Sequence, residues 1–192
     1  MLLSRRQVLS GAVAAFVGGG SARGHAHNSA GRVEPPETPP DLRLTLEDQR
    51  PCRLRERLAG RVTAVQMMFT SCQATCPIQG AIFSQSAHQL GDQAGDAQWL
   101  SLSIDPATDD PAALRAWLGR FGAHPRWHAG RPDARDLDPF LDFLKARAAG
   151  ADRHTAQVYF FDRGGRLAMR SVDFPPVGEL VRVMKALDGR AP

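Results

Sequence analysis

Residues 62–69, Val-Thr-Ala-Val-Gln-Met-Met-Phe, form a nearly continuous apolar run, and a few residues later the chain reaches Cys72 and then Cys76-Pro77. A run of that length with so little alternation is the signature of a strand covered on both faces. Proline directly after Cys76 is tolerated in the first turn of a helix, so the segment from Pro77 to about Leu90 reads as a helix with Ile78, Ile82 and Phe83 turned inward. A buried strand feeding a helix through a short cysteine-bearing loop confines the chain to folds that layer helices over a sheet.

The rest of the body agrees with that restriction. Leu42 to Leu46 and Trp99 to Ile104 read as strands, and Asp110-Pro111 opens a helix running to about Phe121. A further helix starts near Asp136 and is expected to reach Ala149, with Phe140, Leu141 and Leu144 on one side. Gln157 to Phe161, the turn Arg163-Gly164-Gly165 and Leu167 to Val172 read as a hairpin, followed by an amphipathic helix from Val177 to Leu187. This order predicts an α/β fold, a central mixed β-sheet with helices on both faces. A chain of 192 residues supports one such domain and buries a core without metal or disulfide staples.

Charge excludes one class of partner. The formal charge of +4 includes Arg5, Arg6 and Arg23, the charged residues of the first 30, which leaves 21 basic against 20 acidic groups in the body. A nucleic-acid binder shows a concentrated basic face. The densest patch here, Arg50, Arg53, Arg55, Arg57 and Arg61, is interrupted by Glu56 and reads as a solvated edge.

The first residues read as an address. Arg5-Arg6 precede an apolar stretch from Leu9 to Gly20 and small residues around Ala22 to Ala26, the layout of a signal peptide over residues 1–26. Paired arginines before a weak apolar segment resemble a bacterial twin-arginine signal, which implies export to the periplasm, with membrane tethering only if the signal is not cleaved. Residues 27–41, with Pro35, Pro36, Pro39 and Pro40, read as a Pro-rich linker, and residues 42–192 as the domain.

Cys72 and Cys76 stand at i and i+4, so on a helix their Cβ atoms lie roughly 6 Å apart on one face. Amides at a helix start favour thiolates over thiols. Two thiolates form a soft chelate that suits Cu(I) or Zn(II). The spacing alone leaves three readings open: a structural disulfide, a redox dithiol and a metal site.

Three further segments extend the pattern: Phe69-Thr70-Ser71-Cys72 through Cys76-Pro77, then Ser103-Ile104-Asp105-Pro106 with Asp109-Asp110-Pro111 and Leu114, then Asp152-Arg153-His154-Thr155 ahead of Phe161-Asp162 and Gly165. Together they resemble the Sco/SenC family of thioredoxin-like copper proteins from about Leu42 to Leu187. The resemblance implies a thioredoxin-like fold, with Cys72 and Cys76 as thiolate ligands and His154 as the imidazole ligand of copper, held as Cu(I) with Cu(II) as a second state. It implies a metallochaperone for the binuclear copper centre of cytochrome c oxidase, whose partner is a copper-receiving oxidase subunit or another copper protein. Some members look more like thiol-disulfide reductases, in which Cys72 and Cys76 would be the catalytic pair, working with a thiol-reducing partner. A redox or copper sensor is a third class with the same site. A Cys72–Cys76 disulfide in the oxidised form would exclude copper, because a disulfide supplies no thiolate.

Asp105 matches an acid of the family, which leaves it two roles: to hold the site loop or orient His154, or to make only local turn contacts at the approach to a helix. Met67 and Met68 alternate to opposite faces and read as core. Arg153 stands between Asp152 and His154 where many relatives place the acid next to the histidine, and Arg50-Pro51-Cys52 replaces a frequent Gly turn. Cys52 reads as a free thiol. His88, His124 and His128 have no ligand spacing between them and read as surface or packing histidines.

Overall fold

The computed structural model describes residues 30–148 and 154–189. The residues read as a signal peptide with twin arginines and a cleavage site, and Asp152 and Arg153, lie outside the described residues. Eight strands form one mixed sheet: β1 (Gly31–Glu37), β2 (Arg43–Leu46), β3 (Pro51–Arg53), β4 (Thr63–Met68), β5 (Gln98–Ser103), β6 (Trp127–Pro132), β7 (Val158–Phe161) and β8 (Leu167–Arg170). Their spatial order is β1-β8-β7-β4-β5-β6-β2-β3. β4, β5 and β6 run parallel, and β7 pairs antiparallel with β4. Among the described residues there are five α-helices: α1 (Leu54–Leu58), α2 (Thr75–Leu90), α3 (Pro111–Gly119), α4 (Ala134–Leu144) and α5 (Val177–Leu187).

The apolar run forms the centre of the sheet. Every residue of β4 is buried, and so is every residue of β5. Alternation along β4 sends Ala64 and Met68 into the core with Phe83, Trp99, Trp127 and Leu180, and Val65 and Met67 into the opposite core with Leu100, Leu102, Phe140 and Tyr159. Fully burying a side chain of this size contributes about 1.5–3 kcal/mol. The two methionines thus pack as core on opposite faces, with both fully buried.

Asp110 caps α3 as its sequence suggests, accepting from the Ala113 N–H at 2.7 Å with Pro111 just behind it. In α2, Phe83 is buried, whereas Ile78, expected inside, is 52% exposed because it leaves the first turn on the solvent side. Gly80 faces Phe121 so closely that a Cβ there would lie 2.5 Å from the ring, and this close approach seats the segment after α3 on α2.

Two expectations fail for physical reasons. Residues 31–37 are not linker: they form β1 and pair antiparallel with β8. β1 is an edge strand, so Pro35 and Pro36 lack a donor only where an edge can do without one. The helix expected to reach Ala149 ends at Leu144, where Lys145 takes a left-handed conformation with φ 58°. Arg147 then reaches back to the Asp138 carbonyl and to the Asp142 carboxylate. The strands β3 and β6 and the short helix α1 carry no clear period in the sequence. β6 includes Gly130, which lies against Leu46 and Leu102 where little room is left for a side chain.

Candidate metal centre

The topology gathers three distant segments at one end of the sheet. β4 and β5 are parallel, so the loops leaving both emerge together, and the antiparallel β7 begins there. β4 pairs with β7 through Gln66 and Val158, and continuing that register brings His154 level with Thr70. In open α/β sheets the carboxyl ends of parallel strands are the usual place for ligands.

Cys72 sits in the loop after β4, its N–H bonded to the Phe69 carbonyl at 3.1 Å, and Cys76 lies in the first turn of α2. The Cys76 N–H donates to the Cys72 sulfur at 3.4 Å, and the Thr75 hydroxyl lies 3.7 Å from the same sulfur. Burial raises the Cys72 thiol pKa, but the amides of Cys76 and Ala74 and the Thr75 hydroxyl together outweigh it, and the net shift is downward. Burial pushes the Cys76 thiol up to about 12, with the neighbouring Cys72 adding to the rise. The two sulfurs therefore differ in kind: Cys72 is the readier thiolate, and Cys76 gives up its proton only against a strong competitor such as a soft metal.

His154 is buried, with its Nδ1 2.8 Å from the Thr155 carbonyl. A carbonyl only accepts, so Nδ1 carries the proton and Nε2 presents a lone pair. That Nε2 lies 4.0 Å from the Cys76 sulfur. Sulfur and imidazole ligands about 2.3 and 2.0 Å from one first-row ion stand roughly 3.5–4 Å apart, so this pair already has ligand spacing. Phe69 meets the His154 ring edge-on at 6.2 Å and shields it from one side. Among the described residues, no three His, Cys, Asp or Glu side chains are gathered tightly enough to hold an ion together, so binding would draw Cys72 and His154 closer.

The histidine segment is held from two directions. Arg147 bridges to His154 as an isolated antiparallel pair, and the Thr155 N–H donates to the Ala146 carbonyl at 2.8 Å. The residues expected as the tail of α4 thus position His154 instead. The Thr155 and Tyr159 hydroxyls are 2.7 Å apart, and the Ala156 N–H donates to Asp173.

The carboxylate that holds the cysteine loop is Asp109. Fully buried, Asp109 accepts from the Thr70 N–H, from the Thr70 hydroxyl at 2.6 Å and from the Ser103 hydroxyl at 2.6 Å. Asp105 acts through its backbone: its N–H donates to Ser103 Oγ, and its carbonyl accepts from Asp109. Among the described residues its carboxylate makes no hydrogen bond to His154 or to the loop. It sits half-exposed just beyond the end of β5, while the turn carries Asp109 back under Thr70. Thr70 and Ser103, donors at the ends of two adjacent parallel strands, were the available signal.

Cys52 lies on β3 at the edge of the sheet, half-buried against the second core, and burial pushes its thiol up. The arginine patch is largely engaged: Arg53 and Arg55 pair with Asp41, and Arg50 pairs with Asp48. His128 lies 2.9 Å from Glu47. His88 and His124, read as unrelated, are brought into ring contact at the other end of α2.

A family model, SCO1/SenC, matches residues 36–186. A SCO2-like protein of Rickettsia conorii is 26% identical over 121 residues, a match that spans 58% of this chain and 58% of that protein, less than two thirds of its length. A SCO1/SenC family lipoprotein from Bacillus anthracis superposes with a TM-score of 0.69 at 24% identity, covering 79% of this chain and 95% of its own. Copper-bound ScoI of Bradyrhizobium japonicum gives 0.65 at 21% identity, covering 78% and 99%. BsSco, described as carrying a disulfide switch and as a member of the Sco family of cytochrome c oxidase assembly proteins, gives 0.67 at 20%, covering 79% and 94%. These structures share the mixed sheet and its helical layers. With most of its length matched by the family model and its cysteine loop facing a buried histidine across the sheet end, the chain belongs to the SCO1/SenC family.

Proposed function

We propose that this chain is an exported copper-handling protein that carries copper as cargo on Cys72, Cys76 and His154 and hands it to the binuclear copper centre of cytochrome c oxidase. The observation that carries the reading is the 4.0 Å approach of His154 Nε2, its lone pair fixed by the Thr155 carbonyl, to the buried Cys76 sulfur. Two thiolates and a neutral imidazole give Cu(I) a soft three-coordinate site and leave one side open for an incoming acceptor ligand. Loading displaces the thiol protons, so the apoprotein must arrive reduced. Family membership supports the cargo and the acceptor: a copper-bound ScoI and an oxidase assembly factor share its fold. The leader read in residues 1–26 supports a periplasmic location, with tethering if it is retained.

Anaerobic titration of the reduced protein with Cu(I) tests the site. His154→Ala is expected to weaken binding at least about tenfold, on the scale of losses at metal sites. Wild-type affinity in that variant would remove the imidazole from the site.

A second reading, thiol-disulfide reductase, is favoured by the difference between the two sulfurs. Cys72, with its thiol pKa lowered by the surrounding hydrogen bonds, would attack a partner disulfide, and Cys76 would resolve the mixed disulfide. That reading predicts turnover lost in Cys72→Ser and nearly retained in His154→Ala.

A further inference from the structure

The C-terminal end of α2 carries a second pair of metal-ligating side chains. We propose that His88 and His124 form a surface site for a borderline divalent cation, Cu(II) foremost, separate from the cysteine site. The two rings lie 5.5 Å apart with their planes 70° from each other. Metal–imidazole bonds of about 2.0–2.1 Å place two rings on one ion with centroids roughly 4.5–6.5 Å apart, and the observed spacing falls inside that range.

The contact is built by several clips. Phe121 packs on Gly80, the Ser84 hydroxyl donates to the Phe121 carbonyl at 2.7 Å, and Arg126 donates to the Gly91 carbonyl at 3.3 Å. These hold the 120–126 segment against the last turns of α2. Trp99 lies under the pair, its ring 6.0 Å from His124 and its N–H bonded to Ser86. His88 is exposed and His124 half-buried, so an ion has access from solvent.

Each ring commits Nδ1 to the backbone. His88 Nδ1 lies 2.8 Å from the Ser84 carbonyl, so it holds the proton and Nε2 offers a lone pair, the arrangement common in metal-bound histidines. His124 Nδ1 accepts the Arg126 N–H at 3.2 Å, so the neutral ring carries its proton on Nε2. On binding, the His124 ring turns so that Nδ1 leaves the Arg126 N–H to water; Nε2 gives its proton to solvent and Nδ1 takes one from solvent. The proton count does not change, and one long hydrogen bond is lost. Imidazole nitrogens favour Cu(II) over other first-row divalent ions and exclude hard cations. Cys76 and His88 are separated by about 18 Å at the rise of an α-helix, so this site does not share an ion with the thiolates.

The test uses the full-length protein with Cys72 and Cys76 oxidised to a disulfide and Cys52 alkylated, so that thiolates are absent. Titration with Cu(II) is expected to quench tryptophan fluorescence with one equivalent, and the spin-resonance spectrum to show two imidazole nitrogens. His88→Ala, at an exposed position, and His124→Gln should each weaken the quenching transition at least about tenfold. Absence of quenching in the parent protein, or a transition unchanged in either variant, overturns the proposal. Neither outcome bears on Cys72, Cys76 and His154, because the disulfide has already removed the sulfur ligands.

Discussion

The two ends of α2 present the same kind of chemistry in opposite settings. At the N-terminal end, Cys76 and His154 are buried, and their loops are tied down by a fully buried carboxylate, a strand bridge and a chain of hydroxyls. At the C-terminal end, His88 and His124 meet at the surface, held by backbone contacts and the packing of Phe121. Burial makes the first end costly to disturb and, under the proposed function, would favour a soft ion that repays loss of the Cys76 proton. Exposure makes the second end cheap to disturb and open to any borderline cation that tolerates two imidazoles and water. The lesson is that the fold commits its internal hydrogen bonds to the end where geometry must be fixed.

The sharpest way to break this comparison is Asp109→Ala. It strands the Thr70 and Ser103 donors in the core, and a loss of about 2–4 kcal/mol in urea unfolding is expected, together with weaker Cu(I) binding. Cu(II) quenching at the far end should stay as in the parent. If Asp109→Ala altered the two ends equally, the division between them would fail.

A somewhat smaller effect comes from Tyr159, the buried partner of Thr155. Burial raises its phenol to about 12, with the Thr155 hydrogen bond and Arg170 acting in the opposite direction. The unfolded phenol titrates near 10. Between those values the unfolded chain loses a proton that the folded chain keeps, so this contribution to stability is intact below pH 10 and is lost as pH rises through 12. The expected loss is about 2–3 kcal/mol across that window. Urea midpoints at pH 9 and 11.5 measure it, and Tyr159→Phe should flatten the slope.

The smallest effect belongs to the exposed end. His88→Ala should change unfolding free energy by no more than about 0.5 kcal/mol, while weakening the proposed Cu(II) response at least about tenfold. A loss of several kcal/mol would mean that the ring is a structural support and not a surface ligand.

The placement of the cysteine segment is legible in the sequence. The buried run ending in Cys72 and the proline after Cys76 fixed the position of the cysteines, because a strand covered on both faces and a helix start each leave a local pattern. Met67 and Met68 were read correctly as core for the same reason. Of the two roles open to Asp105, local turn contacts are what the structure shows; Asp105 and Asp109 have equal local claims, and the path of one turn decides which returns under Thr70. The end of α4 was missed because Lys145 leaves the helix through a left-handed residue while Arg147 pairs with His154, a long-range event without periodicity. The sequence by itself determined the layered α/β class and a soft dithiol at a strand-to-helix junction, since both follow from patterns within a dozen residues. Tertiary structure alone decided that His154 faces Cys76, that Asp109 holds the loop and that His88 meets His124, because each joins residues that only strand register and helix packing bring together.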